Sequence, residues 1–276
     1  MGTLNPAAQA PEVPRHPLLK WPGGKRKLAA TIARFLPDTF GTYFEPFFGG
    51  GAVFFWLRPG KAVLSDVNPN LIQCYEAIRD DPERVIEALS RLKNSRADYY
   101  HIRGTKPRTQ HAAAARLIYL CTYSFNGIYR ENRRGEYNVP YGYKLTHAKP
   151  TPAAIRAVSH ALMSAELSAR DFSHVEGRVQ PGDLVYFDPP YTLKHSNNGF
   201  IKYNAALFTW RDQERLAEFA RAMSDKGVHV VVSNASHPSI RSLYNGFREV
   251  IIDRHSVIAA ASEGRARVSE SLFVSV

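Results

Sequence analysis

The sequence predicts a doubly wound α/β fold, and three segments carry that prediction. Residues 42–47 form a short apolar run that ends in Gly49-Gly50-Gly51; residues 61–65 form a second, closing on Asp66; residues 183–187 form a third, halted by Pro189-Pro190. Helical stretches separate these runs, and apolar strands alternating with helices build a parallel sheet buried on both faces.

The elements follow in order. Residues 52–58 read as a helix after the glycine run. Pro69 opens a helix that reaches residue 78, where its fixed φ suits the first turn. Val85, Ile86, Leu89 and Leu92 fall at helical spacing, and residues 111–122 form an alanine-rich helix. Regular patterning stops over 123–150, where Gly, Asn, Pro, Tyr and Arg dominate; this predicts an ordered loop or short hairpin. The α/β alternation resumes near residue 165. Strands are expected at 183–187, 228–233, 247–252 and 271–276, and helices at 210–223 and 238–244. One α/β core, 18–78 and 161–276, therefore carries an insertion over 79–160. Residues 1–17, rich in Ala and Pro, predict a disordered leader without a signal-peptide pattern.

Of the 276 residues, 44% are hydrophobic and 22% charged, enough for a large buried core. No run of about 18 apolar residues occurs, so no membrane span is expected. The formal net charge is +11, which points to a polyanionic partner. Residues 100–150 hold nine Lys and Arg against Glu131 and Glu136, together with seven of the fourteen tyrosines, so the positive charge is concentrated in the insertion. Cys74 and Cys121 are far apart and have no metal-ligand spacing; they read as core thiols of a protein in a reducing compartment, and no metal site is expected.

Three segments carry chemistry. The turn Glu45-Pro46-Phe47-Phe48-Gly49-Gly50-Gly51 lets a ligand approach the backbone, and Asp66, at the end of the next strand, can accept hydrogen bonds from both ribose hydroxyls of a nucleoside cofactor. A plain tight turn would leave the same glycine run. The turn is neither GxGxxG nor a phosphate-cradling loop, which disfavours a dinucleotide or nucleoside triphosphate. Asp188-Pro189-Pro190-Tyr191 leaves its strand stiffly, because two prolines cannot continue a ladder. The Asp188 carboxylate and Pro189 carbonyl then form an acceptor pair for the two N–H groups of an aniline-like amine. Holding both favours an sp³-like, more nucleophilic nitrogen, with Tyr191 free to stack on the ring. The third segment, 125–142 with Tyr143 and Lys144 after it, combines Arg130, Arg133, Arg134 and Lys144 with five aromatics. Arginines read guanine bidentately and neutralise phosphates, and Asn or aromatic side chains fill the gap of an extruded base. A solvated charged loop is the bland alternative.

Together these residues resemble the Dam-like DNA adenine methyltransferases, the D12 class (alpha group). The resemblance spans about 18–276. It rests on Leu19-Lys20-Trp21-Pro22-Gly23-Gly24-Lys25, the run Phe44 to Gly51, Asp66-Val67-Asn68, the block Phe125 to Tyr141, the Asp188 to Tyr191 tetrad and Ser233-Asn234, in the family's order. It implies a Rossmann-like class I methyltransferase sheet with helices on both faces, plus a mostly helical DNA-recognition insertion over 79–160. It implies S-adenosyl-L-methionine as cofactor and double-stranded DNA as substrate. The reaction would be direct in-line transfer to adenine N6 after base flipping, with GATC as target. Cofactor contacts are implied for Trp21, Lys25, Glu45, Phe47, Gly49, Gly51, Asp66, Asp171, Phe172 and Asp188. The flipped adenine would be held by Asp188, Pro189, Pro190 and Tyr191. DNA contacts are implied for Lys20, Phe125, Asn126, Ile128, Arg130, Arg133, Arg134, Asn138, Pro140 and Lys144. A cytoplasmic monomer in a bacterium or phage is expected, and a restriction endonuclease would be a functional partner only. The chain departs from the family where Tyr143-Lys144 replaces a phosphate-gripping Arg, and in residues 192–199, which lack the usual Pro and Ser. The rivals are an N4-cytosine or RNA amino-methyltransferase, a non-catalytic DNA-binding protein on this fold, and a nicotinamide-dependent enzyme.

Overall fold

The computed structural model describes residues 16–132, 134–143, 146–193, 208–255 and 267–276. Most of the expected leader, together with Arg133, Lys144 and residues 194–199, lies outside them. The elements run α1 (Ala29–Ala33), β1 (Tyr43–Glu45), α2 (Ala52–Leu57), β2 (Ala62–Asp66), α3 (Pro69–Asp80), α4 (Pro82–Ser90), α5 (Arg96–Gly104) and α6 (Gln110–Tyr123). They continue with α7 (Pro152–Leu162), β3 (Ala165–Ala169), β4 (Leu184–Phe187), α8 (Trp210–Asp225), β5 (His229–Ala235), α9 (Pro238–Arg241), β6 (Arg248–His255) and β7 (Arg267–Val274). Elements expected from the sequence recur within a few residues. The sequence reading did not include α1, α5, α7 or β3.

The chain divides into two compact units. The first comprises residues 1–29, 49–58 and 68–167; the second comprises 30–48, 59–67 and 168–276. In the first, α3 packs on α6 and α7, and α4 and α5 pack on α6. Each of α3 to α7 starts at a polar cap: the side chains of Asn68, Asp81, Ser95, Thr109 and Thr151 accept the backbone N–H three residues on. Each such cap contributes roughly 1 kcal/mol. Leu71, Tyr75, Val85, Tyr99, Ile118 and Leu120 are buried between these helices, and each large apolar side chain so buried contributes about 1.5–3 kcal/mol.

The sheet has the order β3-β2-β1-β4-β5-β7-β6. β1 pairs in parallel with β2 and β4, β4 in parallel with β5, and β7 runs antiparallel between β5 and β6. The second unit carries all of it except the start of β3. Phe44, Val63, Val185, Phe187, Val230, Val232 and Phe273 share one core with Leu216, Ala217, Ala220 and Met223 of α8. The intervening residues Tyr43, Ala62, Leu64, Leu184, Tyr186 and Val231 are buried too, so both faces are covered. That is why these strands read as apolar runs rather than as alternations.

Candidate active site and nucleic-acid surface

β1 and β4 are neighbours, yet the chain proceeds from β1 outward to β2 and β3, and from β4 outward to β5. The crevice beyond the carboxyl ends of two such strands is where open α/β sheets bind ligands. The second unit places Glu45-Pro46-Phe47 at one of these ends and the Asp188 to Tyr191 turn at the other, with Phe44 level with Val185.

The walls of this end are aromatic and its polar groups are acidic. The Phe47 ring stacks on Phe172 at 5.5 Å and meets the edge of Phe208 at 5.5 Å. Phe172 also carries the Arg215 guanidinium at 4.3 Å from its centroid. Arg215 grips Asp171 with both arms, at 3.0 and 2.9 Å, and Ser173 donates to the same carboxylate from its backbone and its hydroxyl. Burial raises the Asp171 pKa, but the Arg215 and Ser173 bonds outweigh it and leave it lowered. Asp66 ends β2, and its carbonyl accepts the Arg170 amide.

Three carboxylates surround the buried Tyr43 and Tyr186 and the half-buried Tyr191. Glu45 accepts from Tyr43 at 2.8 Å, and Glu270 accepts from Tyr191 at 2.9 Å; both acids are buried. Burial first, and the neighbouring carboxylates second, push the Tyr43, Tyr186 and Tyr191 hydroxyls well above the usual tyrosine range. Asp188 acts on all three, Glu45 on Tyr43 and Tyr186, and Glu270 on Tyr186 and Tyr191. These tyrosines stay neutral, and the negative potential favours a cationic ligand. Among the described residues no cluster of His, Cys, Asp and Glu could hold a metal ion.

The Asp188 to Tyr191 turn is fastened from α8, β5 and β7. The Gln213 amide donates to the Pro190 carbonyl at 2.9 Å and accepts from Asn234 at 2.9 Å. The Thr192 hydroxyl donates to the Phe208 carbonyl at 2.6 Å.

The first unit holds the other predicted residues. Gly49 has φ +48°, and a Cβ there would lie 3.0 Å from Trp21 Cδ1. Trp21 in turn stacks on Tyr129 at 4.4 Å. Tyr75 donates to the Gly50 carbonyl at 3.1 Å, and Gly51 has φ +70° at the start of α2. Lys25 is buried, with its ammonium 3.0 Å from the Gly23 carbonyl, rather than being a surface cation.

In the 125–143 segment the sequence's five aromatics separate into two roles. Tyr129, Tyr137 and Tyr141 are buried struts: Tyr137 donates to the Ile128 carbonyl at 2.7 Å, Tyr141 donates to Asn94 at 2.8 Å, and Tyr129 bonds Glu131. Phe125 and Tyr143 are exposed, at 54% and 65%. Asn126 is exposed with φ +55°, a left-handed conformation that Asn tolerates well. Lys20, Arg130, Arg134 and Pro140 are exposed, and Ile128 and Asn138 half-buried. Arg130 donates to Asn138 at 2.8 Å, and Phe125 and Pro140 are joined by a backbone hydrogen bond. Arg133 and Lys144 fall outside the described residues. Sequence reasoning missed Phe208, Gln213, Arg215 and Glu270. Gln213 had left a trace, since it stands in register with the buried stripe Leu216, Ala217, Ala220 and Met223.

Residues 21–258 match the model of the D12 class N6 adenine-specific DNA methyltransferases. The chain belongs to this family. Relatives of this D12 methyltransferase include the type II methyltransferase M1.LlaDCHI of Lactococcus lactis subsp. cremoris, 36% identical, with 92% of this chain and 93% of that protein covered. M.MjaIII of Methanocaldococcus jannaschii, also a type II methyltransferase, is 33% identical over 84% of this chain and 88% of its own. The DNA adenine methylase of Escherichia coli K12 is 29% identical, with 92% and 93% covered.

Proposed function

We propose that this protein transfers the methyl group of S-adenosylmethionine to N6 of adenine in duplex DNA, at GATC. The observation that carries this reading is the position of the Asp188 to Tyr191 turn, rigidly fastened at the carboxyl end of β4 where the strand order reverses.

The acceptor pair, the Asp188 carboxylate and the Pro189 carbonyl, would accept hydrogen bonds from the two N6–H groups of the adenine, and Tyr191 would stack on the base. Negative charge from Asp188, Glu45 and Glu270 suits a sulfonium donor. Phe47 and Phe172 would face the cofactor's adenosine, Asp66 its ribose, and Asp171 its adenine edge. Arg215 already engages Asp171, so that carboxylate would reach the adenine pre-oriented. Trp21, Lys25, Gly49 and Gly51 are assigned to the cofactor by the resemblance, and the buried Lys25 ammonium suits its carboxylate.

N6 cannot meet the donor while stacked in the duplex, so the adenine is flipped out first. The amine would then attack the donor methyl in line, with the C–S bond breaking to leave S-adenosylhomocysteine and one N6 proton passing to solvent. Insertion residues 79–160 would read the DNA. Lys20 and Arg130 would contact guanines, Pro140 a thymine methyl, and Phe125, Asn126 and Ile128 the gap. Asn138 and Arg134, with Arg133 and Lys144, would assist on phosphates. The names of the Lactococcus and Methanocaldococcus relatives support a restriction–modification setting, with the endonuclease acting on the same DNA rather than binding this chain.

Removing a preorganised group that acts on transition-state charge costs about 10²–10³-fold. Asp188→Ala is accordingly expected to bind DNA with near wild-type affinity yet lose nearly all tritiated methyl incorporation. Retention of more than about a tenth of the rate would refute the assignment.

A further inference from the structure

We infer that Gln213 is a positioning residue for methyl transfer, its buried amide setting the direction of the Pro190 carbonyl and hence the reach of the turn that presents Asp188, Pro189 and Tyr191. This rests on the proposed role of that turn.

Two prolines leave the turn few soft torsions. Each pyrrolidine ring locks φ near −65°, so what remains adjustable is chiefly the ψ of Asp188, Pro189 and Pro190. The ψ of Pro190 decides where its carbonyl points and where the next residue, Tyr191, is carried. Gln213 Nε2 holds that carbonyl at 2.9 Å. Tyr191 is tied a second time by its hydroxyl to Glu270 at 2.9 Å. With the carbonyl and the ring both fixed, the Pro189 oxygen between Asp188 and Pro190 has little room to wander.

Gln213 is itself held without slack. It is 0% exposed, as is Asn234, whose amide donates to its Oε1 at 2.9 Å. The Asn234 oxygen accepts the Ala235 N–H at 2.8 Å, so the orientation of both amides follows from the backbone of β5. At the other end, Thr209 and Asp212 cap α8 reciprocally and fix its first turn, one residue before Gln213. A wholly buried amide costs stability unless fully bonded, and an apolar residue here would continue the stripe of α8. The polar group stands where the turn needs a donor.

The decisive variant is Gln213→Glu, which keeps the shape and the acceptor for Asn234 but replaces the donor to Pro190 with an oxygen. Misplacement by about 1 Å can cost about 100-fold in rate. With tritiated S-adenosylmethionine and DNA from a host lacking adenine methylation, kcat at about pH 8.5 is expected to fall about 10- to 100-fold while KM for the cofactor changes less than about threefold. The rate should recover between about pH 8.5 and about pH 6.5, where a buried glutamate takes up its proton and can again donate. Wild type should show no such rise, and Gln213→Leu should stay slow at every pH. A Gln213→Glu kcat at about pH 8.5 within about twofold of wild type, or a loss that acid does not restore, would overturn the inference. Should Gln213→Leu fail to fold, the isosteric variant decides alone. Asp188→Ala runs in parallel: its inactivity beside a fully active Gln213→Glu would sink this inference alone, whereas an active Asp188→Ala would sink the reading of the turn.

Discussion

Gly49→Ala tests how the glycine turn is built. Gly49 has φ +48°, where an L-residue pays roughly 1–2 kcal/mol. The added Cβ would also lie 3.0 Å from Trp21 Cδ1 and 3.6 Å from its Nε1. The indole cannot retreat freely, since it stacks at 4.4 Å on Tyr129, which is buried and bonded to Glu131. Overpacking of this kind costs about 1–3 kcal/mol. The sum, about 2–5 kcal/mol, corresponds to a loss of roughly 4–20 °C in Tm at about 2–4 °C per kcal/mol. Gly60→Ala is the control: it has no left-handed φ and nothing within 4 Å of the added carbon, so it should stay within about 0.5 kcal/mol of wild type. Thermal melts of Gly49→Ala, Trp21→Ala and the double variant separate the two contributions. The steric part should vanish without the indole, giving a coupling of about 1–3 kcal/mol and leaving only the backbone cost. A Gly49→Ala melt within about 1 °C of wild type, or strict additivity with Trp21→Ala, would refute the reasoning.

Two further predictions follow from the same structure. Arg215→Met removes the two-armed grip on Asp171 and the cation over Phe172; both charged side chains are nearly half exposed, so solvent screening holds the stability cost to about 1 kcal/mol. Because Asp171 is lowered in the folded state, that contribution is complete above the ordinary Asp pKa and lost as pH falls through the lowered value. The urea-midpoint difference from wild type should therefore shrink below about pH 4, and a difference undiminished at about pH 2 would contradict it. Burial, and secondarily Cys121, raises the Cys74 thiol far above its usual range, and both cysteines are buried and outside any disulfide. Ellman's reagent should leave the native protein unlabelled for hours and react with both thiols in guanidinium; fast native labelling would show the helical core to be open.

The parts of the fold legible in the sequence are those with strong local signals. β1, β2 and β4 were legible as apolar runs because both faces of the sheet are buried, α3 through Pro69 in its first turn, and α4 through the helical spacing of Val85, Ile86, Leu89 and Leu92. α5 was missed because only Tyr99 and Ile102 of its nine residues are buried. β3 is a five-residue run in which only Ala165 and Leu167 are buried, too brief to outweigh its helical flank. The site divides in the same way. Asp188-Pro189-Pro190-Tyr191 announces itself, since few structures need two prolines after a buried strand. The groups that fasten it do not, because Gln213 and Glu270 are polar residues on elements that look half solvated, and only tertiary pairing shows them buried. The tyrosines of the insertion point the other way: their density suggested a nucleic-acid surface, yet Tyr129, Tyr137 and Tyr141 brace the loop from within and leave Phe125 and Tyr143 outside.

The central claim is that the fastened Asp188 turn holds an adenine amine while it is methylated. Its most direct test is single-molecule sequencing, with nucleoside mass spectrometry, of DNA from a methylation-free host expressing either the wild-type chain or Asp188→Ala. Wild type should deposit 6-methyladenine at one short sequence, GATC, and Asp188→Ala should leave the DNA unmodified. Methyl groups on cytosine, or equal 6-methyladenine from both proteins, would contradict the account.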